Sequence, residues 1–118
     1  MRIGELARAT GASARALRFY EERGLLTPTR TANGYREYDG TAVTRVANIR
    51  FLLESGLTLD DVAHFRYCLD GDVPYSRAAP SMLAVARRRL AVLDDRIAAL
   101  LRVRDTLADR LDRAAGPD

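Results

Sequence analysis

Apolar side chains at Ile3, Leu6 and Ala7 recur at helical spacing, Gly11 suits a left-handed helix end, and Ser13 suits an N-cap. The pattern predicts a short first helix and a second that starts at Ala14. Leu17, Phe19 and Tyr20 carry this second helix to Arg23, where Gly24 stops it. Two short helices separated by a tight turn have the layout of a helix-turn-helix. The character then changes between Thr29 and Asp39, where Asn33-Gly34 is flanked by Tyr35 and Tyr38. Asn-Gly between such residues predicts a β-hairpin with a two-residue type I′ turn, its tip at residues 33 and 34.

Asp39 is placed to cap a third helix running to about Ser55, with Val43, Val46, Ala47, Ile49 and Phe51 as apolar contacts and Gly56 at its end. Thr58 with Asp61 reads as a capping box and Leu57 with Val62 as a hydrophobic staple, so a fourth helix starts there. Asp70-Gly71-Asp72-Val73-Pro74 breaks the helical pattern, and a long periodic stretch runs from Pro80 to Ala115 before Gly116-Pro117. With Leu83 at heptad position a, the a residues are Leu83, Leu90, Ile97, Arg104 and Leu111, and the d residues are Ala86, Leu93, Leu100 and Leu107. All but Arg104 are apolar, which predicts a coiled coil. A 36-residue helix spans about 54 Å, far more than the small domain before it can cover, so its stripe needs another helix. A second copy of the chain is the simplest source.

The expected fold is therefore mainly α. A winged helix-turn-helix domain occupies residues 1–69, a linker residues 70–79, and a dimerisation helix residues 80–115.

At 118 residues the chain is too short for two full-sized domains, and 47% hydrophobic with 30% charged residues is globular composition. All 19 basic residues are Arg. Residues 1–50 hold nine Arg against five acids, whereas residues 51–118 hold ten against eleven, so the positive field belongs to the first half. Cys68 and His64 are each the sole residue of their type. No disulfide, Cys-rich metal cage or hydrolytic constellation can be assembled from them, and neither an enzyme nor a cofactor is expected. The absence of a signal-peptide pattern or a long apolar run makes a cytoplasmic protein without a membrane partner the expectation.

The basic residues of the first half fall on the two elements that a winged helix presents to DNA. Ser13, Arg15 and Arg18 lie on the second helix, with Leu17 turned toward a core; the hairpin adds Arg30 and Arg36, with Tyr35 and Tyr38 beside them. Competing roles remain for some of these. Arg15 would also suit a solvated helix face, and Arg18 could pair with Glu21 or Glu22. Arg45, inside the third helix, reads as an ion-pair residue. Arg87 to Arg89, Arg96, Arg102 and Arg110 read as solvated flanks of the coiled coil.

IGELA at residues 3–7, LRFYEERGLL at 17–26, NGYREY at 33–38 and GLTLDDV at 56–62 together resemble the N-terminal domain of MerR-family transcriptional regulators, over residues 1–69. The resemblance implies an antiparallel coiled coil for the long helix. It also implies a homodimer on a pseudo-palindromic element of double-stranded promoter DNA, bending and untwisting the spacer for RNA polymerase. It puts DNA contacts on Ser13, Arg15, Arg18, Tyr20, Arg36 and Tyr38, with Arg30 added at the entrance to the wing. Tyr20 is taken as the contact and Phe19 as the residue that packs inward. A simple repressor or architectural DNA binder, or a coiled-coil adaptor, are the rival functions; an adaptor should have lost Arg18, Arg36 or Asn33-Gly34, and all are present.

Family members that sense metals place cysteines around the end of the long helix. No Cys follows residue 68 here, so metal sensing is not expected, nor is a large drug-binding domain after the helix. Phe65, Tyr67, Cys68, Tyr75 and Met82 could form an apolar pocket for a small-molecule effector, and core packing explains them equally well. Cys68 reads as a buried thiol.

Overall fold

The computed structural model describes residues 1–117. Its elements, in chain order, are α1 (Ile3–Thr10), α2 (Ala14–Glu22), β1 (Thr29–Arg30), β2 (Arg36–Glu37), α3 (Gly40–Glu54), α4 (Leu59–Ala63), a single 3₁₀ turn (Arg66–Cys68) and α5 (Pro80–Ala115). Helices α1 to α3 pack around Leu6, Leu17, Leu25, Val46 and Ile49, and Val62 and Leu69 extend this core under α4 and the turn after it; all seven side chains are fully buried. At the leucines and Ile49, truncation to Ala would cost about 2–5 kcal/mol.

Local chemistry sets the boundaries. Gly11 ends α1 at φ +75° and donates its N–H to the Ala7 carbonyl at 2.8 Å. The left-handed φ calls for Gly; a Cβ there would also lie 2.7 Å from an Arg50 guanidinium nitrogen, a side-chain end that would have to shift. Ser13 Oγ accepts the Ala16 N–H at 3.0 Å, and Asp39 accepts those of Thr41 and Ala42 at 3.0 and 3.3 Å. In the Thr58–Asp61 capping box, Thr58 Oγ1 accepts the Asp61 N–H at 3.2 Å and Asp61 accepts the Thr58 N–H at 2.9 Å.

The hairpin differs from the two-residue turn expected of it. Thr29 pairs with Glu37 and Arg30 with Arg36, and the Thr31 N–H then donates to the Tyr35 carbonyl at 2.9 Å. The loop is thus Ala32-Asn33-Gly34, closed by a Gly34 N–H bond to the Thr31 carbonyl at 2.9 Å. Only Gly34 has positive φ, at +81°, as in a three-residue loop whose last member is left-handed; Asn33 is not used that way. Phe51 also departs from its expected core role, lying on the exposed side of α3.

Two polar side chains of α3 tie it to later segments. Buried Asn48 donates through Nδ2 to the carbonyls of Leu69 and Gly71, both at 2.7 Å. Arg45 donates to the Leu25 carbonyl, to the Arg66 carbonyl at 2.7 Å and to Asp70 at 3.1 Å, so its guanidinium is held inside the fold.

Helix α5 meets the domain only at its base. Val85 is buried, Met82, Arg89 and Val92 are partly so, and Leu93 lies beside Gly56; they seat the helix on α4. Arg89 is therefore docked on Asp61, not a solvated flank. Leu90, Ile97, Leu100, Leu107 and Leu111 remain more than half exposed, Leu83 somewhat less, and Ala86 is exposed with them. The molecule is 76 Å long in consequence.

Candidate nucleic-acid interface

Helix α2 presents a concave surface of about 610 Å³ lined by Ser13, Arg15, Ala16, Arg18, Phe19 and Glu22. Capping keeps the start of α2 rigid, and Ser13 can donate its hydroxyl proton outward while Oγ accepts from Ala16. Arg15 and Arg18 are exposed, and neither forms an ion pair among the described residues, Glu21 and Glu22 included. Two unpaired guanidiniums one helical turn apart can fork onto guanine edges or phosphates.

The expected packing of Phe19 and Tyr20 is reversed. Tyr20 is only 6% exposed, packed in the core, and burial raises its hydroxyl pKa while the charge of Arg50 pulls it the other way. Phe19 is 46% exposed on the concave face. The Arg23 guanidinium sits 5.2 Å from its ring centroid and is itself paired with Asp60, which fixes the ring from one side. The ring of Tyr20 is thus core, while its hydroxyl has no hydrogen-bond partner among the described residues. An exposed aromatic beside Ala16 is the recognition-helix feature that helical spacing alone could not assign.

On the wing, Arg30 donates to the Gly34 carbonyl at 3.1 Å and braces the tip. Arg36 is exposed, with Nε 3.6 Å from Glu21 Oε2. Tyr38, expected as an outward contact, is buried instead, and its hydroxyl donates to the other oxygen of Glu21. The reason lies at the chain start: the Tyr38 N–H donates to the Met1 carbonyl at 2.7 Å, and the Met1 amine donates to the Tyr38 carbonyl at the same distance, drawing this end of β2 inward. Arg2 lies 4.1 Å above the exposed ring of Tyr35. The four guanidiniums of Arg15, Arg18, Arg30 and Arg36 are left on the surfaces of two adjoining elements.

The residues considered for an effector pocket are not brought together. Phe65 is core, Tyr67 and Tyr75 are 90% and 87% exposed, Cys68 is exposed, and Met82 lines the seat of α5. The cause is the 3₁₀ turn at Arg66–Cys68, which ends the helical register after α4 and turns Tyr67 and Cys68 to solvent. Among the described residues no group of three or more His, Cys, Asp or Glu could hold a metal, and no helix is long and apolar enough to cross a membrane.

A helix-turn-helix with a two-stranded wing and an arginine-bearing recognition face defines a winged-helix DNA-binding fold. The chain matches the family model "MerR HTH family regulatory protein" over residues 1–66 and the model "MerR, DNA binding" over residues 43–110. It belongs to the MerR family of helix-turn-helix transcriptional regulators. The transcriptional regulator HmrR of Rhizobium leguminosarum bv. viciae is 33% identical, over 100% of this chain and 89% of that protein. Nodulation protein NolA of Bradyrhizobium elkanii is 38% identical over 92% of the chain but only 45% of its own length, so the chain spans less than half of that relative. Among solved structures, the regulator PbrR691 from Ralstonia metallidurans CH34 in complex with lead(II) superposes with a TM-score of 0.78 at 28% identity, over 92% of this chain and 84% of that one. HiNmlR, a MerR-family regulator lacking the sensor domain and bound to promoter DNA, gives 0.57 at 26% identity, over 94% and 83%.

Proposed function

We propose that this chain binds promoter DNA as a homodimer and regulates transcription from it. The observation that carries the reading is the placement of Arg15, Arg18 and Phe19 on one open face of α2, with Arg30 and Arg36 on the adjoining wing. Arg15 and Arg18 reach base edges and flanking phosphates, Phe19 and Ala16 offer apolar contact to thymine methyl groups, Ser13 donates at the helix start, and the wing arginines hold the backbone. The similarity to HiNmlR, a MerR-family regulator whose structure is bound to promoter DNA, supports the reading.

The leucine stripe of α5, exposed except at the partly buried Leu93, supplies the dimer contact, pairing Leu83, Ala86, Leu90, Leu93, Ile97, Leu100, Leu107 and Leu111 with an antiparallel second copy. Two domains held at the ends of such a coil read two half-sites. Binding that bends and untwists the intervening spacer lets RNA polymerase engage both promoter boxes, with phosphate contacts offsetting the elastic cost. The compartment is the cytoplasm, where promoter DNA lies. No small-molecule effector is assigned to the Phe65, Tyr67, Cys68, Tyr75 and Met82 set.

Recovery of the DNA bound by the protein across the genome tests this reading. Inverted half-sites within lengthened promoter spacers are expected. Half-sites in spacers of ordinary length would favour a repressor or architectural binder, and no enrichment of promoter DNA would overturn the reading.

A further inference from the structure

We infer that Glu21 is a positioning residue for DNA binding, locking the wing to the recognition helix so that both enter the duplex as one body. The inference rests on the reading of the wing as a DNA contact. Glu21 belongs to α2, yet its carboxylate faces away from the concave surface, and only 12% of its side chain is exposed. One oxygen accepts the Tyr38 hydroxyl proton; the other lies 3.6 Å from Arg36 Nε. Both partners come from the wing, 15 and 17 residues further along the chain. The two strands of the wing are only two residues each, and a two-stranded ribbon of that size has little stability of its own. Its angle to α2 is therefore set by what holds it from behind. The Met1 and Tyr38 backbones supply one anchor, and Glu21 is the side chain that ties the wing to α2 itself.

The charge on Glu21 makes the role distinguishable from simple packing. A carboxylate near Arg36 opposes phosphate binding by Coulomb repulsion, so a Glu21 that did nothing but neutralise Arg36 would weaken DNA binding. A Glu21 that aims Arg36 strengthens it, because a guanidinium already aligned loses less freedom on reaching a phosphate. The two roles predict opposite signs for the same substitution.

The experiment measures affinity for a short mixed-sequence DNA duplex over a range of salt concentrations, with wild type, Glu21→Ala, Glu21→Gln, Tyr38→Phe and Arg36→Ala. Glu21→Ala should weaken binding about tenfold, the scale of one hydrogen bond to a charged group lost per protomer. It should also flatten the plot of log K against log salt by about 0.9 for each phosphate contact released. Glu21→Gln, which still accepts the Tyr38 hydroxyl, should recover part of the affinity. Tyr38→Phe keeps the ring in the core and covers the case in which Glu21→Ala does not fold; it should weaken binding, and its effect should vanish in the Glu21→Ala background. Stronger binding by Glu21→Ala, or an unchanged slope with only a lower Tm, would overturn the inference, as would additive effects of the two substitutions. An unchanged slope in Arg36→Ala would instead show that the wing does not touch phosphate, which removes the underlying reading.

Discussion

Arg89 of α5 grips Asp61 of α4 with two guanidinium hydrogen bonds, Nε–H to Oδ2 at 2.7 Å and Nη2 to Oδ1 at 3.4 Å. Oδ2 also accepts the Thr58 N–H, so one carboxylate both caps α4 and fastens the long helix to the domain. Both side chains are largely sheltered from solvent. The hydrogen bonds from Arg89 and Thr58 hold the Asp61 carboxyl below its ordinary pKa, against the opposing effect of burial. Arg89→Ala should destabilise the fold by unpairing the Asp61 carboxylate, read as a lower midpoint in denaturant unfolding.

The pH dependence follows in sign. A carboxyl whose pKa is lowered by folding stabilises the fold above its unfolded value of about 3.9 and loses that contribution as pH falls through the folded value. The stability gap between wild type and Asp61→Asn should be constant near neutrality and close below about pH 4. A gap that persists in acid would show that Asp61 acts through packing, not charge.

Arg36→Ala should weaken binding to all DNA sequences by a similar factor and lower the salt slope by nearly 2 for a dimer, about 0.9 for each lost contact. Filter or anisotropy titrations at several salt concentrations measure this. A loss confined to particular base sequences would place Arg36 at a base edge instead.

Phe19→Ala should behave in the contrary way. An apolar contact releases no counterions, so the salt slope should hold while discrimination between thymine-bearing and substituted half-sites falls, by no more than the about 1–3 kcal/mol that one mismatched base pair costs. Competition titrations with base-substituted duplexes read this difference. Equal losses on every duplex would show that the ring only shapes α2.

Leu100→Glu combined with Leu107→Glu should give a folded monomer. Both side chains are about two-thirds exposed and touch nothing in their own domain, so the substitutions leave the fold intact while placing charges in the paired stripe. Sedimentation should show the mass halved with an unchanged helical signal; a persistent dimer would put the subunit contact elsewhere.

What could be read from the sequence was local. Ser13, Asp39 and Thr58 each cap a helix within three residues of themselves, and Pro80 and Gly116 bound α5 as expected. What could not be read depends on partners distant in the chain. Whether Phe19 or its neighbour Tyr20 turns inward is decided by the tertiary core, in which Tyr20 is buried with Arg50 of α3 near its hydroxyl. Asn33-Gly34 suits a tighter turn, but the Thr31–Tyr35 pairing sets a wider loop. Arg89 looked like any solvated coiled-coil arginine because its partner, Asp61, lies 28 residues earlier. The exposure of Arg15, Arg18, Arg30 and Arg36 was legible, since polar helix and hairpin positions predict it; the inward tyrosine rings were not, because a motif does not say which way a ring points.

The single narrow seat of α5 gives the helix a mechanical property. Seated at Met82, Val85, Arg89 and Val92, it is a rigid lever that extends about 39 Å from Arg89 to Ala115, so a rotation of roughly 5° at the Asp61–Arg89 joint carries its tip about 3 Å. Run in reverse, a modest push at the far end is geared down into a small, stiff rotation of the domain that carries α2 and the wing.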